Sequence, residues 1–174
     1  MTARDHLRRE HGDIMKALAR LQKWSRDPAA PRDALREALS AAFTFMDVYV
    51  DRCHHGKEEA ILFPALEATG GEDLVRLTAE LRSEHGHARL LLDSLTAECR
   101  RPDAEFPADG FADRCEAYIA LIRGHVRKEN AQLLPALERT LTDEARAMIE
   151  DAFERFDRGI DGLERVRRAA GVSG

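Results

Sequence analysis

The chain has 174 residues and a net charge of −5, so it is long enough for one domain with a substantial core and has no basic excess for a nucleic-acid backbone. No stretch approaches the roughly 18 apolar residues of a membrane span, and the N-terminal segment lacks the apolar core of a signal peptide. Three cysteines without C-x-x-C spacing predict reduced thiols in a cytoplasmic protein. We therefore expect no nucleic-acid partner, no membrane association and a cytoplasmic location.

Apolar residues recur every three or four positions along the chain, which is typical of helices that bury one face. The pattern predicts five helices, at about 3–25, 31–68, 73–100, 111–140 and 142–169. Pro31 suits the first turn of the second helix, Pro64 is expected to kink that helix, and Gly70 with Gly71 is expected to end it.

The connections between these helices are short. The segment 101–110 contains two prolines and a glycine and is predicted to be a loop. Thr142, followed by two acidic residues, is predicted to be an N-cap. The sequence therefore predicts an all-α fold in a single domain spanning 1–174. We expect an antiparallel up-down four-helix bundle over about 3–140 and an additional C-terminal helix over about 142–169.

Two stretches of the chain occur twice. RCHHGKEEAILFPALE at 52–67 and RGHVRKENAQLLPALE at 123–138 share ten of sixteen positions. LRREHG at 7–12 and LRSEHG at 81–86 share five of six. The bundle is therefore two copies of a helix pair, and the copies share ionisable residues that packing alone does not require.

The spacing of the repeated residues indicates a metal site. Residues four apart lie on the same face of a helix, so each His-x-x-x-Glu motif can direct both side chains into the bundle. The predicted ligands are His11, His54, Glu58, His85, His125 and Glu129. Two buried carboxylates would repel each other without a counter-charge, and two divalent cations remove that repulsion. Mixed imidazole and carboxylate ligation suits iron or manganese, and zinc less distinctively.

Other ionisable residues near the repeats leave alternatives. His55 and Glu59 have the same four-residue spacing, but the second copy has Val126 and Asn130 there. We therefore assign the site to the shared residues, with His55 as an alternative extra ligand or supporting group. Surface positions are predicted for His6, Glu10, Glu84 and His87, although residues beside ligands often support them. Core positions are predicted for Tyr49 and Tyr118, with a metal-ligand or redox role as the alternative.

The order of these motifs resembles the hemerythrin-like family, the HHE cation-binding domains. That pattern is one His, one His-x-x-x-Glu, one His and a second His-x-x-x-Glu, and the resemblance covers roughly 3–165. It implies a four-helix bundle around a non-haem di-iron centre, Fe2+ or Fe3+, bridged by two glutamates and a solvent-derived oxo or hydroxo group. By this resemblance His11 and His54 serve one iron, His85 and His125 the other, and the glutamates bridge. Manganese or zinc could replace iron.

The chain also departs from the oxygen-carrying hemerythrins. Those proteins have an extra histidine one turn along the third helix and an aspartate five residues after the fourth-helix histidine. This chain has Arg89 and Asn130 there, with Glu129 as an additional carboxylate. The departure argues against simple reversible O2 carriage and favours redox chemistry or the sensing of iron or gas.

Two classes of function follow from this resemblance. The first is a di-iron oxidoreductase or binding protein for a small oxidant or diatomic gas: O2, peroxide or NO. The second is a sensing or iron-handling module without catalytic turnover, and iron storage is a weaker third hypothesis. A protein or redox partner would be needed for sensing, and the fifth helix is the candidate surface.

Overall fold

The computed structural model describes residues 2–27, 29–102 and 106–171, and all regular structure within them is helical. The α-helices are α1 (Ala3–Ser25), α2 (Arg32–Phe45), α3 (Phe63–Thr69), α4 (Gly71–Cys99), α5 (Phe111–Lys128), α6 (Leu134–Thr140), α7 (Asp143–Arg158) and α8 (Leu163–Ala169). The π-helical segments in these ranges are π1 (Met46–His55), π2 (Glu58–Leu62) and π3 (Glu129–Leu133). The predicted all-α fold class is confirmed.

Side-chain caps and a glycine set the helix ends where the sequence predicts them. The Thr2 hydroxyl accepts a hydrogen bond from the Asp5 N–H at 3.1 Å and begins α1. The Thr142 hydroxyl accepts from the Ala145 N–H at 3.2 Å, which confirms the predicted N-cap. Gly71, the first residue of α4, has φ +71, a left-handed conformation that glycine adopts without strain. The predicted stop after the second long helix is therefore confirmed.

Two long helical runs contain all three π segments. One run consists of α2, π1, π2 and α3, and the other of α5, π3 and α6. In each run a π segment directly precedes the final α-helix, which has Pro64 or Pro135 in its first turn. Proline has no N–H to donate, and the residue before each proline bonds to the carbonyl five residues back. Hydrogen bonding thus changes from π to α at Pro64, where the sequence predicts a kink.

The segment after residue 142 differs from the prediction of one helix over about 142–169. It forms α7 and α8, separated by a turn at 159–162. The Gly159 N–H bonds to the Phe156 carbonyl only three residues back, at 2.9 Å, and Gly162 has φ +78. The apolar spacing continues across this turn through Ile160 and Leu163. Periodicity therefore predicts one helix where two glycines break it.

The helices pack around a shared interior. Helix α1 packs against α2 and α5, and α4 packs against α5, α3 and α2. Helix α7 lies against α1 and π2, and α8 lies against π1 and α2. Of the predicted loop at 101–110, residues 103–105 are outside the described part of the chain, and 101–102 and 106–110 are not helical.

The buried apolar residues form two clusters rather than one. The first cluster includes Ile14, Leu39, Phe43, Leu95, Ile119 and Ile122. The second cluster includes Leu7, Leu62, Phe63, Leu81, Leu133 and Phe153. Along α1 the order is Leu7, His11, Ile14, so the histidine lies between the two clusters, and α4 repeats this order around His85. A polar layer therefore divides the apolar interior.

The cysteines and the apolar character of the helices can be compared with the sequence predictions. Cys53, Cys99 and Cys115 are all buried free thiols, as predicted, and burial raises the pKa of Cys115 to about 12. Within the ranges given above, no helix has both the length and the apolar character needed to cross a lipid bilayer.

Candidate metal centre

The polar layer brings the six predicted ligands into one buried cluster. Both carboxylates, Glu58 and Glu129, have 0% exposure. The cluster consists of two groups, each with donor atoms within 4.8 Å of one another. One group is His11, His54, Glu58 and Glu129, and the other is Glu58, His85, His125 and Glu129. The two groups share both glutamates, an arrangement suited to a pair of ions.

The first group is centred on a carboxylate oxygen of Glu129. The Nε2 atom of His11 lies 3.0 Å from Glu129 Oε2, and the Nε2 atom of His54 lies 3.7 Å from the same oxygen. His54 Nε2 is 3.9 Å from Glu58 Oε1. Both histidines therefore direct Nε2 towards the shared carboxylates.

The second group is more compact. The Nε2 atoms of His85 and His125 are 3.1 Å apart. His125 Nε2 lies 2.9 Å from Glu129 Oε1, and His85 Nε2 lies 3.5 Å from Glu58 Oε2. Each glutamate therefore offers one oxygen to each group.

Several buried polar atoms of the cluster lack a partner. They are the Nε2 atoms of His11, His54 and His55 and both carboxylate oxygens of Glu58 and Glu129. None of them has a partner in hydrogen-bonding geometry among the residues that the structure describes. A buried polar atom without a partner costs about 1–3 kcal/mol, and more if it is charged. The donor set, imidazole nitrogen plus carboxylate oxygen, is one that divalent iron, manganese or zinc would satisfy.

The carboxylates and imidazoles of the cluster shift one another's pKa values. Burial and the charge of Glu129 raise the pKa of Glu58. Burial also acts to raise the pKa of Glu129, but the imidazoles of His125, His11 and His54 outweigh it and hold that pKa well below its usual range. Burial opposes a charged ring at His54, yet the neighbouring carboxylates raise its pKa well above the usual value. A divalent cation that binds here must therefore displace protons from imidazoles.

The outer ring nitrogens of two histidines are held by repeated glutamates. His54 Nδ1 donates to Glu10 Oε2 at 2.9 Å, and His125 Nδ1 donates to Glu84 Oε2 at 2.8 Å. Glu10 and Glu84 are the residues for which we predict surface positions. That prediction is wrong for Glu10, which is 3% exposed, while Glu84 is half-buried. The signal in the sequence was their position directly before the histidine in both E-H-G copies.

The outer ring nitrogens of the other two histidines, His85 and His11, donate to Glu59 and Asn130, which occupy corresponding positions in the two copies. His85 Nδ1 donates to Glu59 Oε1 at 2.7 Å, and His11 Nδ1 donates to Asn130 Oδ1 at 3.1 Å. An outer acceptor on one ring nitrogen fixes the tautomer and makes the other nitrogen the lone-pair donor. All four histidines therefore direct Nε2 towards the shared glutamates, as the nitrogen that a metal would bind.

His55, the alternative at the sequence level, also belongs to the cluster. Its ring is 2% exposed, and a donor atom of His55 lies within 4.8 Å of donor atoms of His85 and His125. Burial and the two neighbouring imidazoles hold the pKa of His55 well below its usual range. The repeat could not identify this residue because the second copy has Val126 there.

A second polar cluster lies beside the first, beneath α7. The Lys57 ammonium donates to His6 Nε2 at 3.0 Å and to Asp157 Oδ1 at 2.7 Å, and it also donates to Glu10. Lys57 has 0% exposure, and the predicted surface position of His6 is wrong because that ring is buried as well. Burial opposes the charge of Lys57, but the carboxylates around it raise its pKa. The ammonium of Lys57 therefore lies among His6, Glu10 and Asp157, where it supplies the positive charge that a metal ion would otherwise supply.

The remaining candidates are two buried tyrosines and one exposed histidine. The Tyr49 hydroxyl donates to Asp13 Oδ2 at 3.2 Å, and its ring stacks on Phe45. Tyr118 is buried in the first apolar cluster, and His87 is exposed as predicted. Both tyrosines are buried among the apolar residues of the first cluster, as the predicted core positions require.

Comparison with known proteins identifies the family of this chain. The family model of the hemerythrin HHE cation binding domain matches residues 2–137, a range that contains all six predicted ligands and ends before α7. Uncharacterised proteins of Mycobacterium bovis and of two strains of Mycobacterium tuberculosis are each similar to this chain. Each is 28% identical over 189 aligned residues, covering 99% of this chain and 71% of the relative. No solved structure matches the chain significantly.

Proposed function

The chain belongs to the family of hemerythrin HHE cation-binding domains, and on this premise we propose that it is a non-haem di-iron protein for a small oxidant. In this proposal His11 and His54 bind one iron, His85 and His125 bind the other, and the two glutamates bridge them. The observation that carries the proposal is the sharing of Glu58 and Glu129 by two four-residue donor groups. The long helical runs then form the antiparallel up-down bundle expected of the family.

The donor chemistry supports iron as the resident metal. Seven buried donor atoms of the cluster and of His55 lack a hydrogen-bond partner among the described residues. Mixed nitrogen and oxygen donors without thiolate suit iron or manganese. Three cysteines are buried in the protein, but none belongs to either donor group. The groups leave each ion with fewer protein ligands than six, so an exogenous molecule can also bind.

The chain's own residues prepare this reaction site. When bound, two iron ions supply redox electrons and open positions for O2, peroxide or NO. Glu58 and Glu129 are excluded from solvent between two apolar clusters, which strengthens their attraction for a cation. The acceptors behind the four Nδ1 atoms hold the imidazole planes in place before the metal arrives.

Metal analysis is the direct experiment. Protein loaded anaerobically with Fe2+ and passed over a desalting column is expected to retain about two iron ions per chain. The Glu129→Ala variant is expected to lose at least one of them, because it removes a shared carboxylate. The matched control is His87→Ala on the exposed face of α4. Full retention by Glu129→Ala, or no iron in the unchanged protein, would contradict the proposal.

Mixing the iron-loaded protein with H2O2 separates catalysis from binding. An oxidoreductase consumes many equivalents of peroxide, whereas a binding protein gives one stoichiometric change in its optical spectrum. We expect consumption, because the carboxylate-rich donor set favours the ferric state and argues against simple reversible O2 carriage. No spectral change with peroxide, O2 or NO would overturn the assignment to a small oxidant.

One contact favours a sensing or iron-handling function as the second candidate. Glu10 accepts from His54 of the centre and from Lys57, which also donates to Asp157 of α7. Metal occupancy could therefore alter how firmly α7 packs. Limited proteolysis with and without iron tests this: protection of α7 by iron supports sensing, and identical digestion patterns count against it.

A further inference from the structure

A cation lies behind the glutamate that supports His125. One carboxylate oxygen of Glu84 accepts from His125 Nδ1 at 2.8 Å, and the other oxygen accepts from the Lys128 ammonium. Lys128 is 26% exposed and also donates to Glu80 at 3.3 Å. Imidazole, carboxylate and ammonium thus form a row that leads outward from the buried cluster.

The first copy of the repeat contains the same row. One oxygen of Glu10 accepts from His54 Nδ1 at 2.9 Å, and the other accepts from the Lys57 ammonium. This ammonium is fully buried, and Asp157 of α7 accepts from it at 2.7 Å. In both copies the lysine directly precedes the shared glutamate of the cluster. The duplication therefore includes the cation as well as the histidine and its acceptor.

A third row ends in a guanidinium. Glu59 Oε1 accepts from His85 Nδ1 at 2.7 Å and from a terminal nitrogen of Arg89 at 2.9 Å. Arg89 Nε also donates to Asp51 at 2.7 Å, which holds the guanidinium between α4 and π1. Three of the four predicted histidine ligands therefore have a carboxylate behind the outer nitrogen and a cation behind the carboxylate.

A cation behind the acceptor changes how strongly an imidazole donates electrons to a metal. A carboxylate that accepts from Nδ1 makes the ring more basic and Nε2 a stronger donor. A cation bound to that carboxylate draws negative charge away from the ring and weakens this effect. The positive charge also acts directly on the site, because charge interactions are strong in a poorly solvated interior. Both effects favour Fe2+ over Fe3+, which has one more positive charge.

Resting on the proposed di-iron function, we propose that Lys57, Lys128 and Arg89 set the reduction potential of the centre without touching the metal. They raise this potential and so offset the two buried carboxylates of the cluster, which favour the ferric state. Each is a positioning residue, because it acts through a glutamate and a histidine.

The experiment is a redox titration of the iron-loaded protein and of Lys128→Met. The variant is expected to favour Fe3+ by about tenfold, which lowers the potential of a one-electron couple by about 59 mV. Lys128→Arg keeps the charge and is expected to keep the potential. The matched control is Arg127→Met, which removes an exposed and therefore screened charge one residue away. An unchanged potential in Lys128→Met, or an equal fall in Arg127→Met, overturns the inference.

The third row offers an independent comparison on α4. Arg89→Met is expected to lower the potential by a similar amount, and Arg89→Lys is expected to restore most of it. A fall of the same size in both variants would assign the effect to lost packing and overturn the role of the charge.

A measurement on metal-free protein does not depend on iron loading. NMR of chelator-treated protein follows the Nδ1 proton of His125. Lys128→Met is expected to move this resonance downfield, because Glu84 accepts more strongly without its cation. The same resonance position in the variant and the unchanged protein overturns the inference alone. Failure of the unchanged protein to bind two irons would instead overturn the proposed function.

Discussion

Each of the four predicted histidine ligands has an acceptor behind its outer ring nitrogen. His54 and His125 each donate Nδ1 to a glutamate, Glu10 or Glu84, that lies one residue before another predicted ligand. The first long helix of each copy therefore contributes one ligand and one support for the ligand of its partner helix. The other two histidines are supported across the copies, His85 by Glu59 and His11 by Asn130.

Removing one of these supports tests their importance for metal affinity. We expect Glu84→Ala to weaken Fe2+ binding by about 10- to 100-fold, because His125 loses the acceptor that fixes its tautomer. Competition with a chelator of known affinity measures the change. The matched control is Glu80→Ala one turn away, since Glu80 is exposed and contacts Lys128 rather than a histidine. Equal affinities of the two variants would contradict the prediction.

The charge state of His125 predicts how iron binding depends on pH. Burial opposes protonation, but Glu129, Glu84 and Glu58 outweigh it and raise the pKa of His125 to about 10. Iron must displace this proton, so its apparent affinity is expected to rise by about tenfold per pH unit for each proton released. An isothermal titration at pH 6, 7 and 8 measures it. Affinity that does not change over this range would contradict the prediction.

The raised pKa of His125 has the opposite effect on the stability of the metal-free protein, which falls as pH rises. A histidine whose pKa rises on folding stabilises the fold fully below its unfolded value of about 6.5. That contribution is lost as pH rises from there through about 10. The metal-free protein is therefore expected to lose stability between pH 7 and pH 10. Urea denaturation of chelator-treated protein at the two values measures this loss, and a rise in stability would count against it.

The duplication made the six residues of the buried cluster predictable, and it also limited the prediction. A residue that occurs in one copy only, such as His55 or His6, has no match from which to infer a role. His6 is buried because α7 covers it, and helical periodicity does not reveal which helix covers which face. Glu10 was misassigned because a charged residue beside a histidine is more often solvated than buried.

At the scale of elements, the two copies differ in what covers them. The Lys57 ammonium lies beneath α7 between Glu10 and Asp157, whereas Lys128, its counterpart, is 26% exposed and pairs with Glu80 and Glu84. Helix α7 thus encloses one half of the duplicated structure and leaves the equivalent half accessible. We therefore expect Lys57 and Lys128 to contribute differently to the free energy of unfolding.

Exchanging the two lysines for methionine measures that difference. Lys57→Met leaves Glu10 buried without its cation, and we expect a loss of about 3–5 kcal/mol in the free energy of unfolding. Lys128→Met removes a partly exposed pair and is expected to cost less than about 1 kcal/mol. Urea unfolding of the metal-free variants gives both values. Equal losses would show that α7 does not bury the first lysine in solution.

The elements themselves were largely predictable, except where glycine or π geometry intervenes. Apolar spacing and caps predicted α1 and the run from 111 to 140 within a residue or two. The spacing continues through the turn at Gly159 and Gly162, so it predicted one helix where there are two. The π segments have no periodicity signal of their own, although Pro64 and Pro135 mark the ends of two of them.

At the scale of the whole molecule, we expect the polar layer to make stability depend on metal. It separates two apolar clusters and places two carboxylates and unpaired ring nitrogens in the interior. A cation that binds only the folded chain adds its binding free energy to stability. Helical periodicity alone predicts the fold class. The expected dependence of stability on metal comes from the buried histidines and glutamates that lie between the two apolar clusters.

Iron is therefore expected to raise the thermal midpoint. Free Fe2+ at about 100 times its dissociation constant stabilises the fold by about 2.7 kcal/mol. For a domain of this size that corresponds to a rise of roughly 5–10 °C. Anaerobic calorimetry measures the midpoint, and a chelator should reverse the change. His11→Ala should show a smaller rise, and an equal rise would place the stabilising iron elsewhere.

The complete burial of Glu58 and Glu129 has a kinetic consequence. A molecule that reaches the space between them must wait until neighbouring helices separate briefly, on a timescale of about microseconds to milliseconds. Its arrival rate should therefore level off at high concentration, at the opening frequency of the helices. Uncharged diatomic molecules cross apolar layers easily. A bulky anionic reductant cannot enter, so it must transfer electrons from the protein surface. We therefore expect small uncharged ligands to reach the buried carboxylates faster than bulky anionic ones.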